Sequence, residues 1–149
     1  MRSLGGRLVI DANAHITNPV RRPGPLRILV LDDEPDTVTT LLTILRDEGY
    51  DAQGFSHPSE ALRQLREFDP DVVISDIAMP VMSGWDFARK VRDRMGSVRP
   101  MLIAVSGIYH KGADKLLAAM AGYEFFLSKP CDPGVVIALV EKARGRGEV

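Results

Sequence analysis

A chain of 149 residues with 45% hydrophobic and 26% charged side chains can close one soluble core without disulfide or metal staples. Its formal net charge of −1 argues against a nucleic-acid surface, and its one cysteine, Cys131, excludes an intrachain disulfide and suits a reducing compartment. No apolar run approaches the roughly 20 residues that cross a bilayer, and Leu8-Val9-Ile10 stops at Asp11-Ala12-Asn13, too short for a secretory core.

Residues 1–25 are rich in Gly, Pro, Arg and Asn and end in Arg21-Arg22-Pro23-Gly24-Pro25, which predicts a flexible arm. One domain, 26–149, is expected to follow it. Ile28-Leu29-Val30-Leu31 is the continuous apolar run of a strand covered on both faces. Val38, Leu41, Leu42 and Leu45 recur at helical spacing, and Gly49 closes that helix. Tyr50 to Ser56 reads as a weaker strand, interrupted by Gly54. Pro58 stands in a first helical turn ahead of a buried stripe of Ala61, Leu62 and Leu65. Asp71 to Ser75 predicts a third strand, Trp85 to Met95 a helix with Phe87, Ala88 and Val91 inward, and Met101 to Val105 a fourth strand. Ala113 to Ala121 predicts a helix stopped by Gly122, and Tyr123 to Leu127 a fifth strand. Asp132-Pro133 is an N-cap and first-turn pair, opening a last helix with Val135, Val136, Leu139 and Val140 buried.

Five strands alternating with five helices predict an α/β fold: a doubly wound, five-stranded parallel sheet with helices on both faces. Ligands of such sheets gather outside the carboxyl ends of the strands, where the strand order reverses. At those ends stand Asp32-Asp33, Asp76, Ser106 and Lys129. Three carboxylates at one rim repel each other unless positive charge lies between them. Mg²⁺ prefers carboxylate, carbonyl and water oxygens and bridges readily to phosphate. Lys129 adds a mobile point charge and Ser106 a hydroxyl, so the rim could hold a carboxylate nucleophile, a metal and a transferring phosphoryl group. Taken singly, each feature is ordinary: an Asp pair often caps a helix, a strand-end Ser makes turns, and Lys-Pro starts loops. Their conjunction at successive strand ends points to chemistry.

Four stretches carry a family resemblance: Ile28-Leu29-Val30-Leu31-Asp32-Asp33-Glu34-Pro35, Asp76-Ile77-Ala78-Met79-Pro80-Val81-Met82-Ser83-Gly84, Val105-Ser106-Gly107 and Phe126-Leu127-Ser128-Lys129-Pro130. Together they resemble the response-regulator receiver family of two-component signalling, over about residues 26 to 145. The resemblance implies a flavodoxin-like strand order 2-1-3-4-5. It implies that Asp76 takes a phosphoryl group from a histidine kinase or histidine phosphotransfer protein. Asp32, Asp33 and Asp76 would organise Mg²⁺, with Asp33 binding directly, Asp32 through water, and the backbone carbonyl of Ala78 as a further ligand. Ser106 would hydrogen-bond the phosphoryl group, Lys129 would pair with its oxygens, and Phe126 would occupy the aromatic switch position. Lys129-Pro130 resembles the family's cis peptide.

Three departures bear on readout. Phe126 lacks a tyrosine hydroxyl, Ser106 stands in place of the commoner threonine, and the chain from Ser106 to Lys129 is one residue longer than usual, an insertion placed in 107–112. With nothing after Val149, the expectation is a stand-alone cytoplasmic receiver, monomeric or weakly dimeric, with no nucleic-acid or membrane partner. It would signal by protein contact through the last two helices, the fifth strand and the loop at Ile108-Tyr109. Its chemistry would be self-directed aspartyl phosphorylation and dephosphorylation rather than turnover of a substrate. The alternatives are a phosphate-independent interaction module, a receiver fragment of a hybrid kinase, and an aspartate-nucleophile phosphatase of the haloacid-dehalogenase type. The last needs Asp-x-Asp where this chain has adjacent Asp32-Asp33. His15, His57 and His110 are too scattered for a zinc site. Cys131 and Trp85 are expected to pack, and the glycines form no phosphate-binding loop after the first strand.

Overall fold

Each apolar run is separated from the next by enough chain for a helix to cross back over the sheet, which makes parallel pairing the available solution. The structure, a computed structural model, describes residues 23–107 and 119–146. In chain order it holds β1 (Arg27–Leu31), α1 (Pro35–Asp47), β2 (Asp51–Phe55), α2 (Pro58–Phe68), β3 (Val72–Asp76), α3 (Gly84–Met95), β4 (Met101–Ser106), β5 (Phe125–Ser128) and α4 (Pro133–Glu141). The strands form one sheet in the order β2-β1-β3-β4-β5, every neighbouring pair parallel. Most of the helix expected at Ala113 to Ala121 lies outside the described residues; 119–121 are helical, and Gly122 stops them at φ 117°. The arm up to residue 22, the loop from Ile108 to Gly112, His15 and His110 also lie outside them.

Alternation along the strands divides the core in two. Leu29, Leu31, Val73, Leu102 and Ala104 face α2 and α3, where Leu65, Phe87 and Val91 meet them. Ile28, Val30, Ile74, Ile103 and Val105 face the opposite way, against Leu41 and Leu45 of α1 and Val136 and Val140 of α4. Gly54, which weakened β2 in sequence, has a packing reason: a Cβ there would lie 2.4 Å from Val38 Cγ1, so the glycine lets α1 settle close on the sheet.

Some expectations need correction. β5 begins at Phe125; Tyr123, expected as its first residue, precedes it and is buried with its hydroxyl on the carbonyl of Gly84. β2 is trimmed to Asp51–Phe55, whereas β3 and β4 each run one residue further, through Asp76 and Ser106. Val135, expected inside, is 47% exposed in a first turn of α4 whose Pro133 and Gly134 are exposed as well; Leu42 and Leu139 are half-buried. The Asp132 cap is present: its carboxylate accepts from the N–H groups of Gly134 at 2.8 Å and Val135 at 3.2 Å. Asp132→Ala is therefore expected to lower stability by about 1 kcal/mol, read as a lower urea midpoint at unchanged slope.

Candidate functional site

The strand order turns back between β1 and β3: the connection from β1 leads outward to β2, and that from β3 leads the other way to β4. A crevice opens above the carboxyl ends of these two strands. Leu31 of β1 is in register with Ser75 of β3, and Asp76 with Val105 of β4, so the residues that follow share one rim. Asp32, Asp33 and Asp76 each place a carboxylate oxygen within 4.8 Å of the others. Asp32 and Asp76 are buried, and Asp33 is exposed to solvent at the mouth.

Lys129, which follows β5, reaches across the rim. Its ammonium lies 2.8 Å from Asp32 Oδ2 and 3.6 Å from Asp76 Oδ2. The same nitrogen donates to Glu34 Oε1 at 3.2 Å. Backbone groups fix the other oxygens: Glu34 N–H donates to Asp32 Oδ1 at 2.9 Å, and Ala78 N–H donates to Asp76 Oδ1 at 3.1 Å. Ser106 ends β4 fully buried, and its carbonyl accepts from Lys129 N–H at 3.2 Å, tying the two strand ends together. Lys129-Pro130 is cis. Phe126 is half-buried against the α2–α3 cluster, as is Trp85. Cys131 packs on the opposite cluster, and burial pushes its thiol pKa up.

Charge balance follows from this geometry. Burial and then the neighbouring Asp32 charge push the Asp76 carboxyl up to about 7, against the opposing pull of Lys129. Burial also raises Asp32, moderated by its hydrogen bond from Lys129. Burial works against the Lys129 charge, but the Asp32 hydrogen bond and the two carboxylates outweigh it and hold the ammonium protonated. Among the described residues one cation, Lys129, faces these three carboxylates, and such a balance favours a proton or a further cation. Its donors are all hard oxygens, the set suited to Mg²⁺.

Two contributors were not legible in sequence. Glu34 shares Lys129 from 95 residues away. Tyr123 donates to the Gly84 carbonyl at 2.8 Å, 39 residues distant, from a buried position where desolvation raises the phenol pKa and keeps it a donor. Gly84 was noted as a motif residue, and the reason for a glycine is now plain: a Cβ would sit 2.5 Å from the Asp76 carbonyl oxygen and 2.6 Å from Ile77 Cα.

Comparison with known proteins settles the family. A model of the response regulator receiver domain matches residues 28–141. The chain belongs to the response regulator receiver domain family. Receiver domains as a class act in two-component signalling, take phosphoryl groups from histidine kinases or phosphotransfer proteins, and bind Mg²⁺ at an acidic pocket. Among curated relatives, the DNA-binding response regulator MtrA of Mycolicibacterium smegmatis is 34% identical over 122 residues, covering 82% of this chain but only 52% of MtrA. The receiver therefore spans about half the length of that relative. An uncharacterized 14.6 kDa protein of Leptolyngbya boryana is 36% identical over 115 residues, covering 77% of this chain and 87% of that protein. The solved chemotaxis protein CheY4 of Vibrio cholerae superposes with a TM-score of 0.76 at 24% identity, over 80% of this chain and 99% of that one, a likeness of fold. A response regulator receiver domain protein of Clostridium thermocellum superposes with a TM-score of 0.70 at 28% identity, over 79% and 93% of the two chains. Strand order 2-1-3-4-5 agrees with the order expected of this fold. No helix among the described residues is long and apolar enough to cross a membrane.

Proposed function

We propose that residues 26–149 form a receiver, preceded by an arm over 1–25, that accepts a phosphoryl group on Asp76 from a histidine kinase or histidine phosphotransfer protein. The observation that carries this reading is the ammonium of Lys129 set between two buried carboxylates, 2.8 Å from Asp32 and 3.6 Å from Asp76. Asp32, Asp33, Asp76 and the backbone carbonyl of Ala78 would hold Mg²⁺, which when bound supplies positive charge against the phosphoryl oxygens. The chain's own groups do the rest. Ala78 N–H holds Asp76 Oδ1, which leaves Oδ2 facing Lys129. A carboxylate oxygen of Asp76 forms the new P–O bond as the P–N bond of the phosphohistidine breaks, and the bonding pair returns to the imidazole.

Lys129 then has a stronger partner than Asp32. It exchanges a carboxylate for phosphoryl oxygens, and the Ser106 hydroxyl donates to the same group. A phosphoryl group carries nearly two negative charges, so these contacts form only in one arrangement of the rim and bias the domain toward it. Output runs through protein contact. The DNA binding in the name of MtrA belongs to that protein.

The test is incubation with Mg²⁺ and acetyl phosphate followed by intact mass. The wild type is expected to gain one phosphoryl group and Asp76→Asn none. An equal gain in Asp76→Asn, or no gain in either, overturns the assignment of the acceptor.

A further inference from the structure

The segment between β3 and α3 carries the Ala78 carbonyl, and its geometry is set by how its two ends meet. Gly84 N–H donates to the Ile77 carbonyl at 2.8 Å, which closes the loop back on the residue that directly follows Asp76. The absence of a Cβ at Gly84 permits that approach, since a methyl there would collide with the backbone of Asp76 and Ile77. The closing residue is held from below by a side chain from elsewhere in the fold. Tyr123, just ahead of β5 and 3% exposed, donates its hydroxyl to the Gly84 carbonyl at 2.8 Å. Ser75, one residue before the acceptor aspartate, donates separately to the Asp76 carbonyl at 3.0 Å. A buried hydrogen bond thus runs from the foot of β5 to the closure of the loop bearing Ala78.

We propose that the Tyr123 hydroxyl is a positioning group for the phosphorylation loop, fixing the Ala78 carbonyl as a cation ligand by anchoring Gly84. The ring alone accounts for core filling: it belongs to the cluster of Leu102, Phe87 and Val91, and a phenylalanine would occupy the same volume. The hydroxyl has a different task. The Gly84 carbonyl, at the first turn of α3, already faces the helix ladder, so the phenol orients it rather than rescuing an orphan acceptor. Groups one step behind a ligand govern how well that ligand meets its metal. The inference rests on the reading of the acidic rim as a Mg²⁺ site.

Tyr123→Phe separates the two roles. Trp85, the only tryptophan and the neighbour of Gly84 in the chain, reports the loop by fluorescence. Titration with Mg²⁺ alone is expected to give a dissociation constant roughly fivefold weaker than wild type, while circular dichroism and the thermal midpoint without metal stay close to wild type. Raised Mg²⁺ should restore the acetyl phosphate labelling rate. Val91→Ala, a core truncation on the same face, is expected to lower the thermal midpoint without moving the dissociation constant. An unchanged constant in Tyr123→Phe, or an equal weakening in Val91→Ala, overturns the positioning role while leaving the metal site intact. Failure of the wild type to respond to Mg²⁺ overturns both.

Discussion

Gly84→Ala is expected to destabilise the domain by about 3 kcal/mol and to cut Mg²⁺-dependent phosphoryl uptake more than tenfold. The added methyl would lie 2.5 Å from the Asp76 carbonyl oxygen and 2.6 Å from Ile77 Cα. Both obstacles are backbone, so no rotamer change relieves them. Relief requires moving α3 away from β3, and that motion shifts the strand end on which Asp76 sits. Nor is the glycine there for its conformational freedom, since among the described residues the positive-φ glycines are Gly24, Gly49, Gly96 and Gly122. Gly54→Ala is the informative contrast. Its new Cβ would meet Val38 Cγ1 at 2.4 Å and Leu42 Cδ1 at 2.9 Å, both side-chain ends that can turn. Thermal unfolding should place Gly84→Ala about 10 °C below wild type, with Gly54→Ala in between and its phosphoryl uptake intact. Equal midpoints for Gly84→Ala and wild type would show that the loop closes more loosely than the distances imply.

Much of this fold was written locally. The apolar runs of β1, β3 and β4 are buried along nearly their whole length, so a continuous hydrophobic stretch was a sufficient signal for each. Phe87, Ala88 and Val91 point inward as their spacing required, and Asp132 caps α4 as its type required. Errors arose where tertiary contact decides. Tyr123 continues an aromatic run into β5 and reads as strand, yet its place is set by a carbonyl 39 residues away. Val135 fits the apolar pattern of α4, but it lies in the exposed first turn of that helix with Pro133 and Gly134. The proposed site was legible for a different reason. In a parallel sheet every strand ends on the same rim, so residue order alone brings Asp32, Asp33, Asp76, Ser106 and Lys129 together. Glu34 escaped because its link to Lys129 depends on the reach of a long side chain rather than on a strand end.

Removing the Lys129 ammonium from this cluster should expose its electrostatic cost. In Lys129→Met, Asp32 keeps only the Glu34 N–H and Asp76 only the Ala78 N–H among the contacts described above, while both carboxylates stay buried. In the wild type without metal, burial and Asp32 already hold Asp76 at about 7, whereas an unfolded aspartate titrates near about 4. A carboxyl whose folded pKa lies above its unfolded one binds more protons when folded. Its contribution therefore favours the fold at low pH and is lost as pH rises from the unfolded value through the folded one. Loss of Lys129 raises Asp76 further and carries Asp32 with it, so the window of lost stability widens upward. The variant is expected to match wild type closely at about pH 5 and to fall about 3 kcal/mol below it at about pH 8. Urea midpoints at the two pH values measure this directly. Mg²⁺ should recover much of the deficit at the higher pH, since a ligand of the folded state stabilises it by mass action. Phosphoryl uptake should stay low even with Mg²⁺ present, because the cation restores charge balance but not the mobile ammonium that meets the incoming oxygens. A deficit equal at both pH values would mean that Lys129 serves the fold through packing of its stem, and that the carboxylates are neutralised by other means.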